Sequence, residues 1–481
     1  MNCPTNRLKR CSTKSLRAEN ILFLAEALVI TVLFLGSLFY YILRRALWGG
    51  DSLEPLLGSV RTPLLVCLSL CCGVSIFLTA SLIDLALTAL LLLAIVKYFS
   101  FQSIAFEGPD ATILVMGVLF GRAARLFLRR ANPTWQKENN RTCEAIHAGQ
   151  MIRTILASLV ILLALASCWH LGGQNRLYHG PRWMGLWNNP NDYGILMGTG
   201  LTLAIGLIAG KQNEPGRMQT LLTLILIVCV SMMGLGLIFS YSRGAWLGTA
   251  VGLLYLANAY GKFRWGYILP PSLAVAAAAL IFWNNTPDTA PWYLKRLDLG
   301  RASAQHRVAA WKGGFEIMWD HPFGVGWNRA VETYQECYSP PDEGSGALAT
   351  NDYLMLGTQL GWLGLLCFVT YVGLSLRTRC SRLAKPHPFG LSFPKSASWV
   401  APESSPIHTS ESNCPLSEER MISENAASLA AYHLSIQATC RAAAFAMVVE
   451  FWFDDGLFVL STAAVFWILL ELGRVDVFCS K

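Results

Sequence analysis

Charge is scarce in this chain. Asp, Glu, Lys and Arg make up 14% of its 481 residues, whereas soluble domains carry about 25%. That shortage excludes an ordinary soluble protein, because the apolar 53% falls in long blocks rather than in periodic stripes. The sequence also lacks CxxC pairs and metal-ligand spacing. Its 14 cysteines include Cys67, Cys71, Cys72, Cys229, Cys367 and Cys440 inside apolar blocks, where cysteine acts as a small hydrophobe. No disulfide framework follows from them. No internal repeat is visible, so nothing supports the duplicated halves common in transporters. A basic leader with Arg7, Lys9, Arg10, Lys14 and Arg17 precedes the first apolar stretch, 21–43. That stretch lacks a small-x-small cleavage site and is too long for a signal peptide, so it reads as an uncleaved signal anchor.

What is present are apolar runs of membrane-crossing length, since a helix needs roughly 20 residues to cross about 30 Å of hydrocarbon. About twelve spans are expected: 20–43, 62–80, 82–98, 111–127, 151–170, 192–210, 218–241, 244–260, 266–283, 353–376, 430–450 and 456–473. The block 62–98 is continuous, and two crossings would need a tight turn near Ser81. The expected fold is therefore an all-α polytopic membrane protein with a long extracytoplasmic loop between helices 9 and 10.

The net charge of +8 fits this reading rather than nucleic-acid binding. Basic residues cluster at the ends of apolar blocks and form no groove interleaved with aromatics. With the N-terminus inside, Arg129, Arg130, Lys137, Arg141, Lys211, Arg217, Lys262, Arg264, Arg377, Arg379, Arg382 and Lys385 fall in cytoplasmic segments. Segments 99–110 and 451–455 carry Glu107, Asp110, Asp454 and Asp455 but no Lys or Arg. This is the positive-inside distribution, with Arg44 and Arg45 running against it. Three units result: a core over 1–376 that includes the loop 284–352, a Ser-, Pro- and Glu-rich insert over 377–429 read as disordered, and two last helices with a tail over 430–481.

Three polar segments share the expected outer face. The first, 171–191, carries Arg182, Asn189 and Asn191; Asn189-Pro190-Asn191-Asp192 reads as a turn with Asp192 capping the next span. The second is Ser242-Arg243-Gly244, set between two spans. An arginine at that depth faces a cavity or partner, or snorkels to headgroups, and its planar fork suits phosphate oxygens. The third is the long loop with Arg301, His306 and Arg307. Arg307, Trp311 and Phe315 recur at four-residue spacing, which describes an amphipathic helix on the membrane surface. Its basic end would meet an anionic headgroup of bulk lipid or of a substrate. His321-Pro322 reads as a helix stop. Asn351 and Asp352 mark the entry to the next span as caps; a desolvated Asp352 could also serve as general base, with Glu450, Asp454 and Asp455 as weaker rivals.

Taken together, Asn188-Asn189-Pro190-Asn191-Asp192, Ser242-Arg243-Gly244-Ala245-Trp246, Arg307-Val308-Ala309-Ala310-Trp311, His321-Pro322-Phe323-Gly324-Val325-Gly326, Asn351-Asp352-Tyr353-Leu354 and Gly361-Trp362-Leu363-Gly364 resemble the O-antigen ligase and polymerase family of bacterial surface-polysaccharide assembly. The resemblance implies a glycosyltransferase of the bacterial inner membrane, active on the extracytoplasmic face. It would move glycan from an undecaprenyl-diphosphate carrier to a glycan or lipid acceptor, without metal, nucleotide or other cofactor. Besides membrane lipids, a flippase and a chain-length regulator are candidate partners. By carry-over Arg243 and Arg307, with Arg301 beside them, would hold the diphosphate. Arg182, Asn189, Asn191 and Asn351 would meet glycan, and Asp352 or His306 would activate the acceptor. Thr350 stands where ligases of the family carry a histidine. That departure leaves open a polymerase, a substitute base or a non-catalytic relative, and a transporter or flippase of lipid-linked glycan is the competing class.

Overall fold

The computed structural model describes residues 70, 73–74, 83–100, 110–130, 141–168, 177–178, 182–187, 189–210, 217–260, 302–339, 348–377 and 416–474. The expected spans 20–43 and 266–283, Arg301 and most of the insert lie outside the described residues, as does nearly all of 62–80.

The described chain is almost wholly helical: α1 (Asp84–Ser100), α2 (Asp110–Arg130), α3 (Arg141–Ser167), α4 (Pro190–Ala209), α5 (Arg217–Ser240), α6 (Arg243–Ala259), α7 (Ala302–Asp320), a short α8 (Ala330–Thr333), α9 (Asp352–Arg377), α10 (Leu416–Glu450) and α11 (Leu460–Leu472). A two-residue antiparallel pair joins β1 (Leu177–Tyr178) to β2 (Arg182–Trp183). Pro190–Ala209, Gln219–Ser240 and Asp352–Arg377 are each long and apolar enough to cross a membrane. α5 turns Leu221, Leu224, Ile227, Val228, Leu235 and Ile238 outward, and α9 does the same with Leu363, Leu366 and Val369. Outward apolar faces of this extent call for lipid rather than water. The protein is an integral membrane protein.

Two helix boundaries differ from expectation for local reasons. α4 begins at Pro190, with Asn189 as its cap, accepting from the Asn191 N–H at 2.9 Å. Proline at the first helical position costs no hydrogen bond, so Asp192 falls inside the first turn instead of capping it. α10 begins at Leu416, inside the insert read as disordered to 429, because Leu416-Ser417-Glu418-Glu419-Arg420-Met421 is rich in strong helix formers.

α4 is the central helix, packed by α3, α5, α6 and α10. Close approach between α6 and α10 depends on glycine: a Cβ at Gly248 would stand 2.6 Å from the Ala446 carbonyl oxygen. Small residues at such crossings let backbones pack where lipid supplies no hydrophobic drive between helices.

A second group of helices, α1, α2, α9 and α11, encloses a buried ionic cluster. Arg474 lies 2.7 Å from Asp84, Arg125 3.3 Å from Glu471 and Arg122 3.4 Å from Glu471. Arg122 also pairs with Asp84, and the Tyr371 hydroxyl donates to Glu471. All six side chains are buried. Unpaired charge at this depth would cost several kcal/mol per ion, so the five charges tie α1, α2 and the end of α11 together, and the Tyr371 hydroxyl joins α9 to them.

α9 is broken at Gly361, where φ is +79°. The His321-Pro322-Phe323-Gly324-Val325-Gly326 segment fills the break. Val325 N donates to Thr358 O at 2.8 Å, Gly326 N to Gln359 O at 3.1 Å, and Trp362 N to Pro322 O at 3.1 Å. The segment does end α7 at Asp320, as the proline implies. It also satisfies the carbonyls that the kink frees, which no local pattern announces.

Candidate active site

The three polar segments meet at one end of the bundle, joined there by the turn between α10 and α11. Ser242 caps α6, accepting from Ala245 N at 3.3 Å, which leaves Arg243 as the first residue of the helix. A cation opposes the positive end of a helix; paired with that end it makes a seat for an anion. Just before it, Tyr241 adopts a left-handed conformation with φ +51°. That is unusual for a residue other than glycine and is the kind of local strain that accompanies functional sites.

Asp454 is the hub. Its Oδ1 accepts from Asn191 Nδ2 at 2.6 Å and lies 3.5 Å from Arg307 Nη2; its Oδ2 accepts from Ser242 Oγ at 3.2 Å. Arg307 also donates to the Phe453 carbonyl at 2.7 Å. Arg182 donates to Asn191 Oδ1 at 2.5 Å and to the Ser240 carbonyl at 2.9 Å. The turn can lie this close because residue 244 is glycine: a Cβ there would stand 2.9 Å from Asp454 Oδ2. Arg182, Asn191, Tyr241, Ser242, Arg243, Gly244, Leu247, Arg307, Phe453 and Asp454 line one cavity of about 160 Å³. Three guanidinium groups face one carboxylate there, a formal +2.

Burial pushes the Asp454 carboxyl up to about 7, partly offset by Arg307 and reinforced by Asp455. Burial also raises Asp455. A carboxyl titrating near neutrality beside three arginines can exchange a proton under working conditions, while the arginines stay charged.

The remaining expected residues are placed differently. Asn189, besides capping α4, reaches Asp455 Oδ1 at 3.4 Å. Asn351 caps α9 by accepting from Leu354 N at 3.0 Å. Asp352 is 1% exposed; its Oδ2 accepts from Leu457 N at 2.7 Å, and its backbone N–H donates to Phe451 O at 3.0 Å. Asp352 thus braces the 451–457 turn through two hydrogen bonds, and neither it nor Asn351 lines the cavity. His306 adjoins Arg307 on α7 but does not line the cavity. The helix expected on the membrane surface forms as α7, and part of its aromatic stripe meets protein. Trp311 packs edge-on against Trp452 at 5.7 Å, and Phe315 stacks on Trp362 at 6.4 Å.

The feature that sequence reasoning ranked too low is the turn 451–455. Its signal was present: two adjacent carboxylates, with no Lys or Arg, in a few residues between two apolar helices. Nothing in that pattern says that the turn folds back onto Arg307 and Ser242.

Fold and composition together define an integral membrane protein with a small cavity, lined by three arginines and one carboxylate, at one end of its helix bundle. Residues 221–369 match the O-antigen ligase family model, which supports an O-antigen ligase/polymerase family assignment. The match takes in Arg243, His306, Arg307, Asn351 and Asp352, and leaves Arg182, Asn191 and Asp454 outside it. No curated protein matches the chain.

Proposed function

We propose that the protein transfers glycan from a polyprenyl-diphosphate carrier to a hydroxyl acceptor at the extracytoplasmic face of a bacterial inner membrane, as an O-antigen ligase or polymerase does. The observation that carries this reading is the convergence of Arg182, Arg243 and Arg307, from three separate segments, on one small cavity with a single carboxylate. A diphosphate matches the surplus positive charge, and bidentate guanidinium contacts suit its oxygens.

In the reaction the acceptor oxygen attacks the anomeric carbon in one inverting displacement. The new C–O bond forms as the bond to the diphosphate breaks, and the departing electron pair stays on the carrier. Arg243 and Arg307 stabilise that growing charge best in a water-poor cavity. Asp454 takes the acceptor proton because it lines the cavity beside the arginines, whereas Asp352 does not line it. This assigns a base to a chain with Thr350 in the place of the family histidine. Arg182 braces Asn191 and Ser240 and contributes charge; Asn191 lines the cavity to which glycan would come, while Asn189 and Asn351 cap α4 and α9 beside it.

The test is Arg243→Ala in reconstituted protein supplied with lipid-linked oligosaccharide and acceptor. New glycosidic bonds should form with wild type and fall at least a hundredfold in the variant, with membrane insertion unchanged. Equal transfer by both proteins would refute the role. A transport reading draws on the buried ionic cluster and the broken α9, both features of transporter interiors. Relocation of the lipid-linked glycan without bond formation in the same assay would favour it.

A further inference from the structure

Away from the arginine cavity, α7 carries a second recess of about 470 Å³, lined by Lys312, Phe315, Glu316, Trp319, Asp320 and Tyr338. The first five recur at helical spacing on one face of α7. Tyr338 comes from the π-helical turn Tyr334–Tyr338 and closes the opposite wall. Such turns concentrate at functional sites. Gly313 lets this turn approach, since a Cβ there would stand 2.8 Å from Tyr334 Cδ2 and closer still to its neighbour in the ring.

The lining pairs an aromatic surface with polar groups. Trp319 is 79% exposed and Phe315 43%; an indole this open on a helix is unusual, because tryptophan is highly buried on average. Tyr338 donates to Asp320 Oδ2 at 2.7 Å, and Lys312 lies 3.9 Å from Glu316. The bond to Asp320 holds the phenol up at about 12, so it keeps its proton and the carboxylate keeps its orientation.

We propose that this recess is a saccharide subsite that takes an uncharged sugar residue of the glycan handled by the arginine cavity. The inference rests on the function proposed above and extends it to the glycan. The apolar C–H face of a pyranose packs on an indole, while its hydroxyls donate to carboxylates and accept from an ammonium group. Two carboxylates against one ammonium give the recess a formal −1, which disfavours acidic sugars and anionic lipid headgroups alike. Its place on the same helix as Arg307 sets the distance. Twelve residues at 1.5 Å each put Trp319 about 18 Å from Arg307 along the axis, so the recess meets sugars some way from the diphosphate.

The test measures binding of lipid-free tetrasaccharides of neutral hexose and N-acetylhexosamine to nanodisc-embedded protein, with a uronate-containing tetrasaccharide as the charged control. A neutral tetrasaccharide should bind wild type and Arg243→Ala alike, bind Trp319→Ala at least tenfold more weakly, and recover to within threefold in Trp319→Tyr. The uronate should bind wild type at least tenfold more weakly than the neutral probe. Unchanged binding in Trp319→Ala, no binding to wild type, or preference for the uronate would overturn the proposal. So would quenching of Trp319 fluorescence by brominated phospholipid, read as the difference between wild type and Trp319→Phe, since the face would then contact lipid. Because Arg243→Ala separates transfer from saccharide binding, loss of the transfer reading and loss of this one are told apart.

Discussion

Replacing Asp454 with Asn tests the acid–base assignment most directly. Asparagine keeps the size of the side chain and can still accept from Asn191 Nδ2, now 2.6 Å away. It cannot hold a negative charge beside Arg307 or take a proton. In wild type the carboxyl titrates at about 7, so a base that must be ionised is about one-tenth active at pH 6 and about nine-tenths active at pH 8. Transfer should therefore rise about tenfold between those values. In Asp454→Asn the rise should vanish, with the rate at pH 8 down by about 10² to 10⁴, the usual worth of a general base. The cavity simultaneously moves from a formal +2 to +3, so KM for the diphosphate donor should fall or hold rather than rise. The assay is initial-rate transfer from lipid-linked oligosaccharide across that pH range. A variant retaining both the wild-type rate and the tenfold rise would refute the assignment. Stability follows with a definite sign. A carboxyl raised from 3.8 to about 7 is held protonated more tightly by the folded protein than by the unfolded chain. Its contribution is full below about pH 4 and is lost as pH rises through 7, about 4 kcal/mol for a shift of about three units. The thermal midpoint of the purified protein should lose that part of its pH slope in Asp454→Asn.

Two further outcomes concern the scaffold. Gly361→Ala places a Cβ at φ +79°, ψ 178°, 2.6 Å from the Phe323 carbonyl carbon; that backbone conformation, almost confined to glycine, alone costs about 1–3 kcal/mol, so the thermal midpoint should drop clearly in a melting assay, whereas Gly373→Ala, with open space around it, should hold or raise it. Glu471→Gln leaves three arginines facing Asp84 alone, and breaking a buried pair in this way costs about 3–5 kcal/mol; the yield of folded protein in detergent should fall sharply, as read by size-exclusion chromatography.

Particular residues mark how far local sequence reaches. Asn351 capping α9 and the stop of α7 before His321-Pro322 follow from side-chain chemistry within a few positions of the event. So do the boundaries of α5, α6 and α9, which need only apolar length and a polar residue at each end. Arg243 and Arg307 were legible as candidates for phosphate because an arginine in apolar company needs a reason. Asp454 was legible only as one carboxylate among three. Its rank depends on neighbours 147, 212 and 263 positions away, through Arg307, Ser242 and Asn191, and no periodicity encodes such distances. The docking of His321–Gly326 into the α9 break belongs to the same class, as does the meeting of Asp84 with Arg474, 390 positions away.

Composition and patterning by themselves determined that this chain must live in lipid and must fold as helices, because long apolar blocks leave backbone polar groups nowhere to bond except within a helix. They also marked a few arginines as candidates for an anionic ligand. Only the tertiary structure decided which carboxylate faces them, since electrostatic partnership falls off over a few ångströms and depends on where distant turns are brought to rest. The same holds for the aromatic face of α7. Its four-residue spacing promises an apolar stripe, but its ring partners, Trp452 and Trp362, are residues that the stripe itself does not contain.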